Sequence, residues 1–222
     1  MTEEKTASLS RKEREFQRRE EEILKSAVRL FEGEDWEQVT VAQIAQEADI
    51  GKGTVYKHFS SKEDIYARVA LDFHEQLMGV FEGISKGQGV LAFMREAISE
   101  SFKFYQQNNV CAKLSSFCKR SDFKRRISEQ HCKEYEHMDQ RFELFFGEIL
   151  QAGIDEGVIQ DQPIIHLMIG LEATFEGAIS MMMNDSYTDF SELNEEQFVE
   201  VLTGFMINAL ARSPVDSINK NI

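Results

Sequence analysis

The 222-residue chain contains only two prolines, Pro163 and Pro214. Proline lacks a backbone hydrogen-bond donor and breaks helix interiors, so a chain of this length with so few prolines can be helical throughout. No alternation of apolar and polar residues is long enough to predict a strand. We therefore expect an all-α protein, whose length allows one large domain or two small ones with a substantial core.

The chain also lacks paired cysteines and long apolar runs. Its three cysteines, Cys111, Cys118 and Cys132, are an odd number without paired spacing, so a disulfide framework is not expected. The N-terminal residues contain no apolar segment of signal-peptide length, and the most apolar stretch, residues 164–173, is too short to span a bilayer. These absences predict a cytoplasmic protein with no membrane partner.

Positive charge is scarce. The chain has 25 Lys and Arg residues against 39 Asp and Glu residues, and the formal net charge of −14 argues by itself against a nucleic-acid partner. Two local segments are positive, in contrast to the whole chain. Residues 11–19 contain five basic and two acidic residues, and residues 38–62 contain three basic and two acidic residues. The 11–19 run can be a solvated arm or a contact to phosphates or a minor groove, and both interpretations stay open.

The N-terminal part of the chain shows helical spacing of apolar residues. A flexible arm is expected over residues 1–15, followed by an amphipathic helix from residue 16 that ends at Gly33. Thr40 and Gln43 have the spacing of a capping box, in which each side chain bonds the other residue's backbone N–H. A second helix is therefore predicted to begin at Thr40.

A tight turn at residues 49–51 and a short third helix over residues 52–58 follow. The fourth helix begins after the serine caps Ser60 and Ser61 and continues to about residue 84. We expect a domain boundary inside this helix, near residue 76. Beyond it the chain is predicted to be helical over residues 89–107, 110–119, 121–153, 163–184 and 194–212.

Two short helices joined by a tight turn form a helix-turn-helix pattern, whose second helix enters the DNA major groove. Val55 and Phe59 are expected to face inward and to hold this helix in place. Eight residues are expected to contact DNA, because they donate hydrogen bonds, leave room for close backbone approach, or stand at helix N-termini that suit a phosphate: Thr40, Lys52, Gly53, Thr54, Tyr56, Lys57, His58 and Lys62.

Residues 16–76 resemble the DNA-binding domain of the tetracycline-repressor (TetR) family. The similarity lies in ILKSAVRLF at residues 23–31, TVAQIA at residues 40–45, and IGKGTVYKHF at residues 50–59 followed by SKE at residues 61–63. The ordered set is specific, although it covers little more than a quarter of the chain.

This resemblance implies an N-terminal three-helix helix-turn-helix DNA-binding domain over residues 16–76 and a C-terminal helical ligand-binding and dimerisation domain over residues 77–212. Residues 213–222 would form a frayed tail. The implied function is that of a transcriptional regulator without enzymatic activity, most simply a homodimeric repressor that binds double-stranded operator DNA with palindromic half-sites. A small apolar or amphipathic effector would release it, and no cofactor or metal is implied.

The last two helices are the predicted dimer interface, because the family builds a four-helix bundle there. Small residues at three- and four-residue spacing allow helices to approach closely, and aromatic and aliphatic residues supply apolar area. The interface residues predicted on this basis are Gly170, Ala173, Gly177, Phe198, Leu202 and Phe205. An ordinary intramolecular core also explains the aromatic residues.

The C-terminal region is rich in aromatic residues, and a subset can line an effector pocket, since ligand sites are mostly apolar. The candidates are Phe102, Tyr105, Phe117, Phe142, Phe146, Met168 and Phe175. A basic cluster at Lys124, Arg125 and Arg126 is either a solvated helix start or an anion site for effector phosphates.

The sequence also contains residues relevant to three other functions. An enzyme or metal site is disfavoured, because His131, Cys132 and His137 lack the spacing of a metal-binding pair on one helix face, and no nucleophile or phosphate-loop motif occurs. A thiol-based redox sensor would use Cys111 and Cys118, which lie seven residues apart. A DNA-bound structural or cell-division factor would keep the fold and ignore ligands.

Overall fold

The computed structural model describes residues 10–33, 35–189 and 192–212. Within these ranges the chain forms ten α-helices, two short 3-10 helices at Lys86–Gln88 and Ser186–Asp189, and no strand beyond one bridge between Ile159 and Ala211. The all-α prediction is confirmed. The α-helices are α1 (Arg11–Gly33), α2 (Val41–Glu47), α3 (Lys52–His58), α4 (Lys62–Gly83), α5 (Val90–Gln107), α6 (Asn109–Cys118), α7 (Ser121–Lys124), α8 (Glu129–Asp155), α9 (Ile164–Met183) and α10 (Glu195–Leu210).

The chain divides into two compact units. Unit 1 comprises Met1–Leu71 and Leu114–Cys132, and unit 2 comprises Asp72–Lys113 and Lys133–Ile222. The division between the units falls within α4, after residue 71, and the domain boundary expected near residue 76 stays a prediction. The pattern does not predict that a segment from the middle of the chain belongs to the first unit. The expected tail at residues 213–222 lies outside the described residues.

The two units differ in charge. Unit 1 contains 17 Lys and Arg residues and 17 Asp and Glu residues, so its formal charge is zero. The whole net charge of −14 therefore belongs to unit 2. Leu114–Cys132 contributes to this balance, because it contains five basic and two acidic residues.

Helix α1 begins earlier than its apolar pattern predicts. Residues 11–15, expected in a flexible arm, form its first turns. Ser10 and Glu13 explain the difference, because the Glu13 carboxylate accepts a hydrogen bond from the Ser10 N–H (2.7 Å) and Ser10 Oγ accepts one from the Glu13 N–H (3.2 Å). This reciprocal cap fixes the start of the helix without any buried side chain.

The core of unit 1 is formed by apolar side chains of α1 to α4. Its least exposed members include Ile23, Ala27, Phe31, Val39, Ile44, Val55, Phe59 and Ile65, all at or below 3%. Leu114–Cys132 adds aromatic residues to this unit. The Phe117 ring lies 4.9 Å from the Trp36 ring and 5.3 Å from the Phe123 ring, both edge to face, a favourable arrangement for aromatic pairs.

Residues 121–153, predicted as one helix, form two helices separated by residues 125–128. Ser128 caps the second helix, since its Oγ accepts a hydrogen bond from the His131 N–H (3.3 Å). Its own N–H donates to Asp64 Oδ1 (3.0 Å). Because that N–H is bound to a carboxylate from another helix, it cannot join the helical hydrogen-bond ladder, and the helix is interrupted.

The core of unit 2 is built from the second part of α4 together with α5, α8, α9 and α10. Aromatic side chains fill much of it. Arg141 on α8 ties this helix to α4 at the surface, donating hydrogen bonds to the carboxylates of Glu75 (2.7 Å) and Glu82 (3.0 Å). Helices α4 and α8 each contribute residues to both units, because unit 1 includes their first turns and unit 2 includes the rest.

Candidate nucleic-acid interface

The predicted capping box at the start of α2 is confirmed. Gln43 Oε1 accepts a hydrogen bond from the Thr40 N–H (2.8 Å), and Thr40 Oγ1 accepts one from the Gln43 N–H (3.3 Å). The turn to α3 depends on Asp49, which adopts a left-handed conformation with φ of 52°. Gly51, the glycine of the predicted turn, has an ordinary φ of −71° and stands at the N-cap of α3.

Helix α3 has an anchored side and an exposed side. Val55 is 0% exposed and Phe59, just after the helix, is 3% exposed, which confirms that both hold the helix in the unit. On the opposite side Lys52, Tyr56 and Lys57 are exposed. The Lys52 amine lies over the Tyr56 ring, 5.8 Å from its centroid, so these two side chains share one exposed face.

Gly53 lies on this exposed side. A Cβ added at Gly51 or Gly53 would meet no atom within 4 Å, so nothing in the protein itself requires glycine at either position. Both glycines leave the backbone open to close approach from outside. Thr54, between them and the anchor Val55, is half-buried.

His58 is turned toward α1. Its ring centroid lies 4.0 Å from that of Phe16, and its Nδ1 is buried with no hydrogen-bond partner among the described residues. Burial and the positive charges of Arg19 and Lys57 lower the pKa of His58 and thereby favour the neutral ring. The expected DNA contact from His58 therefore has only the other edge of the ring available.

Lys62 at the start of α4 is engaged within the unit. Its Nζ donates to the Glu37 carbonyl (2.7 Å) and lies 5.2 Å from the centroid of the Tyr66 ring. Ser61 caps the helix, as its Oγ accepts a hydrogen bond from the Asp64 N–H (3.0 Å). Thr40, at the start of α2, is exposed.

Sequence and structure comparisons agree on one family. The model for "Bacterial regulatory proteins, tetR family" matches residues 23–69. The HTH-type transcriptional regulator YfiR of Bacillus subtilis (strain 168) is 25% identical over 152 residues, 66% of this chain and 71% of its own length. The HTH-type transcriptional repressor KstR2 of Mycolicibacterium smegmatis is 36% identical over 66 residues, 30% of this chain and 32% of its own length.

The N-terminal part of the chain, residues 23–69, is therefore a tetR-family DNA-binding domain. Its fold agrees with that of the TetR-family regulator PfmR from Thermus thermophilus, with a TM-score of 0.65 at 18% identity over 86% of this chain and 99% of that one. The family assignment makes this protein a DNA-binding transcriptional regulator, and the resemblance inferred from the sequence motifs is confirmed.

The expected TetR-family effector residues do not form one group. Phe102, Tyr105 and Phe175 lie together in unit 2, where the Phe175 ring is 4.8 Å from Phe102 and 5.1 Å from Tyr105. Phe142 and Phe146 each pack edge to face on Phe81 in the same unit. Met168 packs against the core of unit 2.

Phe117 is separate from the other effector candidates. It belongs to unit 1, in the aromatic cluster with Trp36, Tyr66 and Phe123. Its aromatic character alone does not distinguish a structural contact in unit 1 from a pocket in unit 2.

The basic cluster also lies in unit 1. Lys124 and Arg125 are exposed. The Arg126 guanidinium pairs with Asp122 (3.5 Å) and Glu63 (3.8 Å), and these exposed pairs contribute little stability but reduce its availability to an anion.

Four of the six predicted dimer residues are exposed, namely Gly170, Ala173, Gly177 and Phe205. Leu202 is half-buried. Phe198 is 7% exposed and stacks on Tyr187 at 4.8 Å, so it contributes to the core of a single chain. A spacing of three or four residues does not distinguish the inward side of α10 from its outward side.

Helix α9 as a whole, Ile164–Met183, is long and apolar enough to cross a membrane, whereas the apolar stretch recognised in the sequence ends at residue 173. Only 17% of its most apolar window is buried within the chain. Glu172 and Glu176 place two charged side chains within this apolar helix. Its outer face, with Ile165 and Ile169 exposed, is more apolar than the outer face of an ordinary surface helix.

The structure contains one buried polar cluster that no sequence pattern indicates. Asp64 is 2% exposed and accepts hydrogen bonds from Ser60 Oγ, from the Ser128 N–H (3.0 Å) and from His131 Nδ1 (3.0 Å). His131, which the sequence spacing does not favour as a metal ligand, has a carboxylate partner from α4. The three cysteines are free, with Cys118 buried and Cys111 and Cys132 half-buried.

Proposed function

We propose that the protein is a homodimeric repressor that reads a palindromic operator through the exposed side of α3. The observation that carries this proposal is the division of α3, in which Val55 and Phe59 are buried while Lys52, Tyr56 and Lys57 face outward. A helix anchored on one side by apolar residues can place the other side in a major groove. Lysine and tyrosine side chains there donate hydrogen bonds to base edges and phosphates.

Gly53 and Thr54 are proposed to approach the DNA backbone or a base edge, with Thr40 and Lys62 contacting phosphates on either side. The open space at Gly53 supports this assignment. Lys62 must give up or share its hydrogen bond to Glu37 to reach a phosphate. The charge distribution favours the same surface, because unit 1 is neutral while unit 2 carries the whole negative charge.

A second copy of this chain is the proposed partner for the outer side of α9 and α10. Four large apolar side chains there are exposed by more than half: Ile165 (52%), Ile169 (59%), Val201 (54%) and Phe205 (60%). Ile165, Ile169, Ala173 and Gly177 follow one another at four-residue spacing, so they form one stripe along α9. Two copies related by a two-fold axis would present two α3 helices to two half-sites.

The proposed effector is a small apolar or amphipathic molecule that binds among the aromatic residues of unit 2. Helix α4 supports a route for its action, because the residues of one continuous helix belong to both units. A displacement of the unit 2 part of α4 would move the start of the helix, which follows α3 directly. The changed spacing of the two recognition helices would lower operator affinity. A protein with this role acts where the DNA is, in the cytoplasm.

The test is selection of DNA by the full-length protein from random-sequence duplexes, followed by gel shifts with the selected duplex. We expect Tyr56→Ala and Lys57→Ala each to weaken operator binding about 5- to 100-fold, equivalent to about 1 to 3 kcal/mol. Lys25→Ala, which removes an exposed lysine from another part of unit 1, is the control and should bind as the wild type does. Wild-type affinity in both α3 variants, or no enriched sequence, would contradict the proposal.

A further inference from the structure

The first three turns of α1 form a helical extension that contributes no side chain to the core of unit 1. None of residues 11–22 is buried, and the first buried side chain of the helix is Ile23. At 1.5 Å per residue this extension is about 18 Å long. It is held helical by the Ser10–Glu13 cap and by exposed ion pairs of Glu22 with Arg18 and Arg19.

The extension is neutral over residues 11–22, but its positive charge is concentrated at the start, which is opposite to what helix stability favours. Residues 11–19 contain Arg11, Lys12, Arg14, Arg18 and Arg19 but only two acids, Glu13 and Glu15. The positive end of a helix macrodipole is its N-terminus, so basic residues in the first turns are unfavourable there. Arg18 and Arg19 pair with Glu22, whereas Arg11, Lys12 and Arg14 in the first turn are exposed and gain nothing from burial or from the helix dipole.

The extension is attached directly to the recognition helix. The Phe16 ring packs against His58, the last residue of α3, with 4.0 Å between centroids. Arg19 is close enough to His58 to lower its pKa. Arg11, Lys12 and Arg14 lie within the turn and a half that precede Phe16, and all three are exposed.

We propose that Arg11, Lys12 and Arg14 form a second DNA contact, which binds the phosphate backbone beside the groove that α3 enters. This inference rests on the proposed role of α3. The partner is the same duplex, because Phe16 holds the extension beside the last residue of α3 and the charge of +3 over residues 11–19 complements phosphates. Contacts of this kind carry no base information, so they strengthen binding to every sequence alike.

The extension variant combines Arg11→Gln, Lys12→Gln and Arg14→Gln. A matched control combines Arg95→Gln, Lys103→Gln and Lys113→Gln, three exposed basic residues of unit 2. Both variants lower the formal charge by three, so any general repulsion between protein and DNA changes equally. Binding to the selected duplex and to an unrelated duplex of equal length is measured by fluorescence anisotropy over a series of salt concentrations.

We expect the extension variant to bind both duplexes more weakly and to lower the slope of log affinity against log salt by about 2 to 3, since each lost phosphate contact removes roughly 0.9. The control should retain the wild-type slope. The ratio of affinities for the two duplexes should not change in the extension variant. Its thermal midpoint should not fall, because the removed cations oppose the helix dipole.

Equal slopes for the two triple variants, or tighter binding by the extension variant, would overturn this inference while leaving the role of α3 intact. A wild-type protein that selects no sequence, yet shows the slope difference on the unrelated duplex, would overturn the role of α3 and support the extension contact. A lower affinity ratio in the extension variant would show base readout and would also overturn the assignment to phosphates.

Discussion

Val55 and Phe59 bury almost their whole surfaces, and by doing so they leave Lys52, Tyr56 and Lys57 outside. The same contrast applies to the glycines. Gly53 has open space around the position of a Cβ, whereas a Cβ at Gly153 would lie 2.7 Å from Cδ1 of Ile159 and 2.9 Å from Cγ1 of Val90. One glycine leaves room for an external partner, and the other makes room for the core of unit 2.

Gly153→Ala is expected to lower the free energy of unfolding by about 1 to 3 kcal/mol, because the added methyl group overlaps Ile159, which is 1% exposed and cannot move away. Gly147→Ala in the same helix is the control. No atom lies within 4 Å of its Cβ position, so the better helix propensity of alanine should raise stability by up to about 1 kcal/mol. Urea denaturation of both variants measures the difference. Equal changes in the free energy of unfolding of the two variants would show that overlap with Ile159 does not cause the loss of stability.

At the scale of helices, α4 and α8 are joined at two places. Asp64 in the first turn of α4 binds the capping residue Ser128 and His131 at the start of α8 in unit 1. Arg141 of α8 binds Glu75 and Glu82 of α4 in unit 2. The first of these contacts is buried, so it contributes more to stability than the second, which is exposed to solvent and ions.

Asp64 is expected to make stability depend on pH. Burial alone would raise the pKa of Asp64, but hydrogen bonds from Ser60, the Ser128 N–H and His131 outweigh burial and hold the pKa at about 2, below its ordinary value of 3.8. A carboxyl whose pKa is lower in the folded chain than in the unfolded chain stabilises the fold above about pH 4. This contribution, about 2 kcal/mol, disappears as the pH falls from about 4 to 2.

Asp64→Asn should therefore lower the free energy of unfolding by about 2 kcal/mol at neutral pH, and the difference from wild type should shrink below about pH 4. Chemical denaturation at a series of pH values measures this. Asp122→Asn, which alters an exposed carboxylate of the same unit, should leave stability nearly unchanged at every pH. A difference between wild type and Asp64→Asn that does not vary with pH would rule out ionisation of Asp64 as its cause.

At the scale of the whole molecule, charge and apolar surface are distributed unequally. Unit 1 is neutral overall and contains α3, while unit 2 carries the formal charge of −14 and the exposed apolar stripe of α9 and α10. Non-specific attachment to DNA through unit 2 is opposed by this charge. In the proposed function, base recognition is confined to the surface around α3, and unit 2 binds a second copy and an effector.

Ile169→Glu and Phe205→Glu are expected to weaken the dimer at least 100-fold, equivalent to about 3 kcal/mol, because each places an unpaired carboxylate in an apolar interface. Sedimentation velocity over a range of protein concentrations measures the dissociation. Leu144→Glu is the control, since Leu144 on α8 is 67% exposed but lies outside the α9 and α10 stripe. A monomeric wild type would contradict the assigned interface, as would a dimer unaffected by Ile169→Glu.

The helix-turn-helix part of the fold could be predicted from the sequence because its signals are local. The capping box of Thr40 and Gln43 and the burial of Val55 and Phe59 each depend on residues within four positions of one another or on a helical repeat. The same kind of signal did not locate the start of α1. The Ser10–Glu13 cap gives no such signal, because no apolar residue accompanies it.

The sequence predicts where a helix lies better than it predicts which side of that helix is buried. Phe198 and Phe205 lie on the same helix and are chemically identical, yet one is 7% exposed and the other 60%. Phe117 was expected among the effector residues and packs instead with Trp36 in unit 1. In each case the outcome depends on which neighbour lies opposite, which composition and spacing do not encode.

By itself the sequence determined the helical class, the position of α3 and the family, since these follow from proline scarcity, helical periodicity and an ordered local motif. Only the tertiary structure decided that Leu114–Cys132 belongs to unit 1 and that His58 turns toward Phe16. It also decided that Asp64 meets Ser128 and His131, 64 and 67 residues away. Such pairings form when separate helices pack, and no local pattern records them.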